Sequence, residues 1–184
     1  MPIQILTRLP PLPPSSLSPL PTLPPGISWF GCEGHGYTFT GLNFTTMDTI
    51  LNFFVQHKFN TVRIPVSVAF ALAPPDTKPN QRFVGKALKG KTIWEILGEA
   101  IDQAALRGLM VMLDMHTLGP QEPSDLWYDE QYKEADLLQA WTNIMTAYSA
   151  KWNVFALGEY RGREGGRERK EQERRGGNRE LNSQ

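Results

Sequence analysis

The chain has 184 residues, of which 40% are apolar and 21% are charged, and its formal net charge is zero. These values are typical of a soluble globular domain and exclude a global field that would attract nucleic acid or an anionic membrane surface. No apolar run reaches the ~20 residues of a membrane span, and the single cysteine, Cys32, cannot form an intrachain disulfide. We therefore expect neither a nucleic-acid partner nor a membrane partner.

The first segment, Met1–Pro25, is rich in proline, leucine and serine. Proline disrupts helices and cannot donate to a sheet, so we predict a disordered or polyproline II segment. The prolines also interrupt the apolar core that a signal peptide requires. Arg8 precedes Pro11 and Pro14, which have Pro-x-x-Pro spacing, and this pattern fits an SH3-type groove. Such patterns are also common in proline-rich tails that have no partner.

The pattern that follows alternates strands with amphipathic helices. Gly26–Gly31 is a candidate strand, and Thr45 or Thr46 can cap a helix that runs to about His57. Its apolar stripe is Met47, Ile50, Leu51, Phe54 and Val55. We predict a second strand over Thr61–Val66, with four β-branched residues.

That second strand is expected to end near Pro65, because proline is poor in a strand centre. A long loop, from about Ser67 to Lys91, follows, and loops of this length are usually functional or mobile. Thr92 and Glu95 form a capping-box pattern that opens the next helix. Its expected buried stripe is Ile93, Ile96, Leu97, Ala100, Ile101 and Ala104, and Gly108 lies in the usual position at its end.

Leu109–His116 is the most informative stretch, because it is apolar at every position until two polar residues appear. An unbroken apolar run favours a strand that is buried on both faces of a parallel sheet. Asp114 and His116 then lie at its C-terminal end, which is the catalytic end of a (β/α) barrel. The alternative is a core strand whose aspartate caps a turn and whose histidine fills a pocket.

A third helix and a fourth strand complete the pattern. The helix places Leu137, Leu138, Trp141, Ile144, Met145 and Tyr148 on one face, and the strand covers Asn153–Leu157. This alternation predicts βαβ units and a parallel sheet. The apolar pattern stops there, so we expect 158–184 to form a disordered charged tail. Its Arg-Gly clusters could touch RNA, but the interleaved glutamates cancel most of the charge.

Three strand segments together carry a resemblance to a known family: Gly26–Gly31, Phe59–Pro65 and Gly108–His116. They resemble successive strands of glycoside hydrolase family 5, the cellulase-like endoglucanases, and the segments around Phe83 and Leu126–Tyr128 are also similar. The resemblance covers about 26–157. It implies a partial (β/α)8 TIM barrel of about four strands and three helices, in an α/β fold. It also implies cleavage of β-linked polysaccharide with retention, and an extracellular location.

The resemblance also implies roles for individual residues. Arg63 corresponds to the arginine that steadies the nucleophile carboxylate, and His116 to the histidine beside the substrate cleft. Both lie near the C-terminal ends of adjacent parallel strands, so we expect their side chains to share one end of the sheet and a common cleft. Trp127 could stack on a sugar ring, although a packed loop tryptophan is the alternative. Glu33 and His35 follow the first strand on the cleft side and could touch substrate. Two such ligands do not make a metal site, so we expect neither a metal nor another cofactor.

The sequence departs from the family at the catalytic carboxyl groups. Retention requires two of them ~5–5.5 Å apart. The family's acid/base lies in an Asn-Glu-Pro motif, whereas Glu159 follows Gly158 and precedes Tyr160. The nucleophile belongs to strand seven of a barrel of ~250 residues. We therefore expect a truncated or mis-spliced, inactive enzyme fragment. The alternative is a non-catalytic interaction protein that uses its proline-rich arm or its charged tail.

Overall fold

The computed structural model describes residues 25–120 and 126–158. One sheet of four parallel strands is formed, and the strands lie in chain order: β1 (Gly26–Ser28), β2 (Thr61–Ser67), β3 (Met110–Thr117) and β4 (Val154–Gly158). The helices are α1 (Met47–Gln56), α2 (Val68–Ala71), α3 (Ile93–Ala105) and α4 (Glu134–Tyr148). Two 3-10 turns lie at Gln81–Phe83 and Lys86–Leu88. The predicted parallel α/β architecture is confirmed.

Local signals set where the helices begin. Thr46 caps α1 by accepting a hydrogen bond from the Thr49 backbone at 3.1 Å. Thr92 and Glu95 form the predicted capping box, with reciprocal hydrogen bonds of 2.6 and 3.1 Å. The backbone hydrogen bond from Thr92 lowers the pKa of Glu95. All six residues of the predicted α3 stripe are buried.

The hydrophobic core lies between the helices and one face of the sheet. Alternate residues of β2 and β3 are at most 1% exposed on this face: Val62, Ile64, Val66, Val111, Leu113 and Met115. The opposite face holds Met112 and His116, which are only half-buried. The prediction that β3 is buried on both faces is therefore wrong for this second face, and the polar end of β3 is open to a cleft.

The prediction that β2 ends near Pro65 is also wrong, because the strand continues to Ser67. Residues two apart on a strand direct their backbone groups to the same neighbour. The Arg63 carbonyl accepts from Trp29 N at 2.9 Å, so Pro65 also faces the β1 side. The last paired residue of β1 is Ser28, which lies opposite Arg63, so β1 has already ended at the level of Pro65. The missing N–H of Pro65 therefore costs no ladder hydrogen bond.

The segment predicted as a long loop contains helical structure. Ser67 caps the four-residue α2 by accepting from Phe70 N at 3.0 Å, and Phe70 is fully buried. The 3-10 turns follow in the same segment. These elements are too short to produce a hydrophobic period in the sequence. The segment is therefore part of the packed domain.

Three predicted stripe residues are exposed instead of buried. Val55 is 39% exposed, Leu138 is 65% exposed and Met145 is 37% exposed. They lie on the flanks of the helical stripes, next to the buried residues, so the core-facing stripes are narrower than the apolar pattern suggests.

Among residues 25–120 and 126–158, no helix is long and apolar enough to cross a membrane. The predicted disordered ends, 1–25 and 158–184, lie outside the described residues except at Pro25 and Gly158.

Candidate substrate-binding cleft

Three polar side chains meet at the C-terminal edge of the sheet. Arg63 lies on β2, and Asp114 and His116 lie on β3, where Asp114 is the register partner of Pro65. Side chains alternate along a strand, so Asp114 and His116 point to the same face, opposite the buried Leu113 and Met115. Parallel strands end at a common edge, and this brings the residues together from distant parts of the sequence.

The contacts among these three residues form a connected cluster. Arg63 Nη2 donates to Asp114 Oδ2 in an ion pair. The same Nη2 lies 3.1 Å from His116 Nδ1, and Asp114 Oδ2 lies 3.3 Å from that nitrogen. Arg63 Nη1 donates to Ser28 Oγ at 3.2 Å. The sequence prediction that Arg63 and His116 share one edge of the sheet is confirmed, and their role in substrate binding stays a prediction.

His116 Nδ1 is shared between a donor and an acceptor. It lies 3.1 Å from Arg63 Nη2, which can only donate, and 3.3 Å from Asp114 Oδ2, which can only accept when ionised. The second ring nitrogen, Nε2, is therefore the one available to a ligand hydroxyl. The Asp114 side chain is only 9% exposed, compared with 34% for Arg63 and 36% for His116. Asp114 therefore positions Arg63 and His116, and both of these side chains reach the solvent.

An open cleft of about 470 Å³ lies over the cluster. Its described walls are Arg63, Met112, Asp114, Met115, His116, Leu157 and Gly158. The Asp114 side chain lies so close to β4 that position 158 requires glycine, because a Cβ built there would lie 2.2 Å from Asp114 Oδ1. A residue with a side chain at this position of β4 would displace the carboxylate that holds Arg63.

The other predicted site residues lie away from these walls. Glu33 is half-buried, and its Oε2 accepts from Gly31 N at 2.7 Å, which uses the carboxylate to fix a loop. His35 is exposed in the same loop, and Trp127 is half-buried beside Tyr128, with ring centroids 5.7 Å apart. Glu159 lies outside the described residues. The structure therefore brings together Arg63 and His116 from the predicted set.

Ser28 and Gly158 were missed as site residues, and Asp114 was placed at the catalytic end of its strand without a role. A signal for Asp114 existed in the sequence, because an aspartate two positions before a histidine on a strand shares its face. A buried aspartate also needs a charged or hydrogen-bonding partner, and Arg63 was available. The roles of Ser28 and Gly158 depend on contacts between strands that the sequence pattern does not specify.

Neither a metal nor a cysteine nucleophile is supported at this edge. In the part of the chain that the structure describes, no group of three or more His, Cys, Asp and Glu side chains could hold a metal ion. Burial raises the pKa of the Cys32 thiol, and this disfavours the reactive thiolate. The available chemistry is hydrogen bonding by a guanidinium and an imidazole around a buried carboxylate.

Comparison with known proteins identifies the family. The family model described as cellulase, glycosyl hydrolase family 5, matches residues 22–160. The chain belongs to glycosyl hydrolase family 5. The resemblance inferred from its strands is therefore confirmed, and the four strands and their helices form part of a cellulase-type TIM barrel fold.

Individual relatives are bacterial and archaeal endoglucanases. An endoglucanase of Paenibacillus polymyxa is 31% identical over 125 residues, which cover 67% of this chain and 31% of the relative. A cellotetraose complex of a Pyrococcus horikoshii endocellulase variant aligns with a TM-score of 0.66 and 27% identity, over 72% of this chain and 35% of that one. The catalytic domain of the major Xanthomonas campestris endoglucanase gives a TM-score of 0.66 and 30% identity, over 72% and 38%. The chain spans about a third of the length of these relatives.

Proposed function

We propose that the cleft over Arg63, Asp114 and His116 binds a β-linked glucan. The observation that carries this proposal is the cluster itself: a half-buried guanidinium and a half-buried imidazole, both reaching solvent and held by a buried carboxylate at the C-terminal edge of the sheet. Sugar hydroxyls accept hydrogen bonds, and donors with a fixed orientation lose little entropy when they bind. The matched relatives include endoglucanases, and one structural relative is a cellotetraose complex.

In a retaining β-glucan hydrolase, the same cluster would also serve the reaction. An arginine holds a carboxylate in its ionised form through charge-assisted hydrogen bonds. Asp114 already occupies Arg63 Nη2, and the remaining donors of Arg63 can face a second carboxylate or a ligand. We infer that Arg63 is a positioning and binding residue, and that His116 forms a hydrogen bond with a sugar hydroxyl through Nε2.

The described residues of the cleft do not supply the two carboxyl groups that retention requires. Among the described walls of the cleft, Asp114 is the single carboxylate, and it is paired with Arg63. The Glu33 carboxylate holds the backbone of its own loop. Glu159 lacks the flanking asparagine and proline that resemblance to the family would require. We therefore propose that the 184-residue chain binds glucan without hydrolysing it.

We expect the purified chain to release no measurable reducing sugar from soluble carboxymethylcellulose. The reason is that the described walls of the cleft hold one carboxylate instead of two, and no glycosyl-enzyme intermediate can form without the pair. Reducing ends would be measured over time for the wild type and for Glu159→Gln, and the two proteins should give the same background. Turnover by monodisperse wild type that Glu159→Gln abolishes would contradict the proposal and assign Glu159 as the acid/base.

The alternative of a non-catalytic interaction protein receives no support from the comparisons. Its proline-rich motif, with Arg8, Pro11 and Pro14, lies outside the described residues, and so does the tail after Gly158. The cleft and the family membership both favour carbohydrate as the ligand.

A further inference from the structure

The turn that leads into α1 has the sequence Asn43-Phe44-Thr45. An asparagine that is followed two positions later by serine or threonine, with a residue other than proline between them, is the acceptor motif for N-linked glycosylation. Of the eight asparagines in the sequence, only Asn43 has this spacing. The motif is short and also occurs by chance, so its place in the fold decides whether a glycan fits there.

The turn is well defined and holds the motif at the surface. Phe44 N and Thr45 N both donate to the Gly41 carbonyl, at 2.9 and 3.0 Å. Leu42 is only 2% exposed and anchors the turn, and its carbonyl oxygen would lie 2.5 Å from a Cβ at Gly85. All three residues of the motif are exposed. The turn is therefore fixed from beneath while the motif faces solvent, as a surface glycan requires.

The two side chains that define the motif are available for modification. Within residues 25–120 and 126–158, neither Asn43 nor Thr45 has a side-chain hydrogen-bond partner. The cap of α1 is the next residue, Thr46, which accepts from Thr49 N at 3.1 Å. Thr45 therefore has no part in starting the helix, and the fold commits neither the amide nor the hydroxyl to another contact.

Open space lies on both sides of the turn. Asn43 is a wall of a cavity of about 560 Å³ that extends to Lys86 and Gln103. It is also a wall of a second cavity, of about 400 Å³, which extends to Phe83. Asn43 is not among the described walls of the cleft over Arg63. A bulky glycan at Asn43 thus has room beside the turn without occupying that cleft.

Phe44, the middle residue of the motif, is 89% exposed. A ring in this position leaves apolar surface in water, which is unfavourable. A sugar unit has an apolar C–H face that packs on an aromatic ring, and a sugar linked to the neighbouring Asn43 could cover Phe44 in this way. The glycan would then shield a ring that the proposed cleft does not use.

From these observations we propose that Asn43 is an acceptor site for N-linked glycosylation. The donor is an oligosaccharide that is joined to a polyprenyl lipid through a diphosphate. Asn43 Nδ2 forms a bond to C1 of the first sugar and gives up one proton. The bond from C1 to the diphosphate oxygen breaks, and the lipid diphosphate leaves with its electron pair, so nothing is oxidised or reduced. The proposal is independent of glucan binding, and it requires the chain to enter the lumen of a secretory compartment.

Translation of the full chain behind an added cleavable signal peptide, with endoplasmic-reticulum microsomes present, tests this proposal. Chains that resist added protease have entered the lumen, and only these are scored. We expect one increment in mass on the wild type, and peptide N-glycosidase should remove it. Asn43→Gln and Thr45→Ala should each abolish the increment, whereas Thr45→Ser should keep it, because serine also supplies the hydroxyl.

Arg82→Thr is the matched control, because it creates the same motif at another exposed asparagine, Asn80. It should add a second increment to the wild type and restore one increment to Asn43→Gln. The glycan is transferred as the chain enters the lumen, so the result does not depend on whether a variant folds. A protected wild type without an increment, beside an Asn43→Gln/Arg82→Thr chain that carries one, would overturn the proposal. An increment that survives Asn43→Gln would also overturn it.

Discussion

Replacing Arg63 with alanine is expected to lower the free energy of unfolding by about 3 kcal/mol. Asp114 would keep its negative charge in a side chain that is 9% exposed, without the guanidinium that now pairs with it. An unpaired buried charge costs several kcal/mol, and the partial exposure of Arg63 places this site at the lower end of that range. Urea unfolding at neutral pH measures the change. The same variant should lose glucan binding.

Lys151→Ala is the control for this effect. Lys151 pairs with Asp102, which is 60% exposed, so removing the lysine should cost less than about 1 kcal/mol. Adding Asp114→Asn to Arg63→Ala removes the stranded charge and should recover part of the lost stability. Equal costs for Arg63→Ala and Lys151→Ala, with no recovery in the double variant, would show that the cluster is not a buried charge pair.

Gly158→Ala is expected to disrupt the same cluster from β4. The new Cβ would lie 2.2 Å from Asp114 Oδ1 and 3.0 Å from its Cβ and Cγ, so either the carboxylate or the strand must move. Overpacking of this kind costs about 1–3 kcal/mol. Movement of Asp114 would also release Arg63 and His116 from their present positions. Urea unfolding and the side-chain NMR signals of His116 measure the two consequences.

Gly34→Ala provides the matched glycine control. A Cβ at Gly34 would meet only the Gly31 carbonyl oxygen, at 3.6 Å, which is an ordinary contact. We expect its stability to stay within about 0.5 kcal/mol of the wild type. If Gly158→Ala matches Gly34→Ala in stability and in the His116 signals, then β4 does not approach Asp114 as closely as described.

Local patterns were sufficient for much of the fold. The capping box of Thr92 and Glu95, together with a six-residue stripe, specified α3 from its first turn to its core face. The strand order followed from the alternation of elements, since βαβ connections leave few topologies. The meeting of Arg63 and His116 also followed, because both lie near the ends of neighbouring parallel strands.

The remaining features depend on contacts that are distant in sequence. Pro65 stays inside β2 because β1 ends at Ser28, a fact that the sequence of β2 does not contain. Glu33 turns to the backbone of Gly31 because its loop is folded by hydrogen bonds to Phe30 and Thr40. Loop conformation is set by such tertiary contacts, so the composition of this loop could not show that Glu33 leaves the cleft.

NMR titration of the isotopically labelled chain with cellotetraose tests the proposed glucan cleft most directly. The proposal predicts saturable shifts of the backbone amides of Asp114, His116 and Gly158, and their loss in His116→Ala. Cellotetraose that leaves these amides unchanged, or that shifts residues far from the C-terminal edge of the sheet, would contradict it.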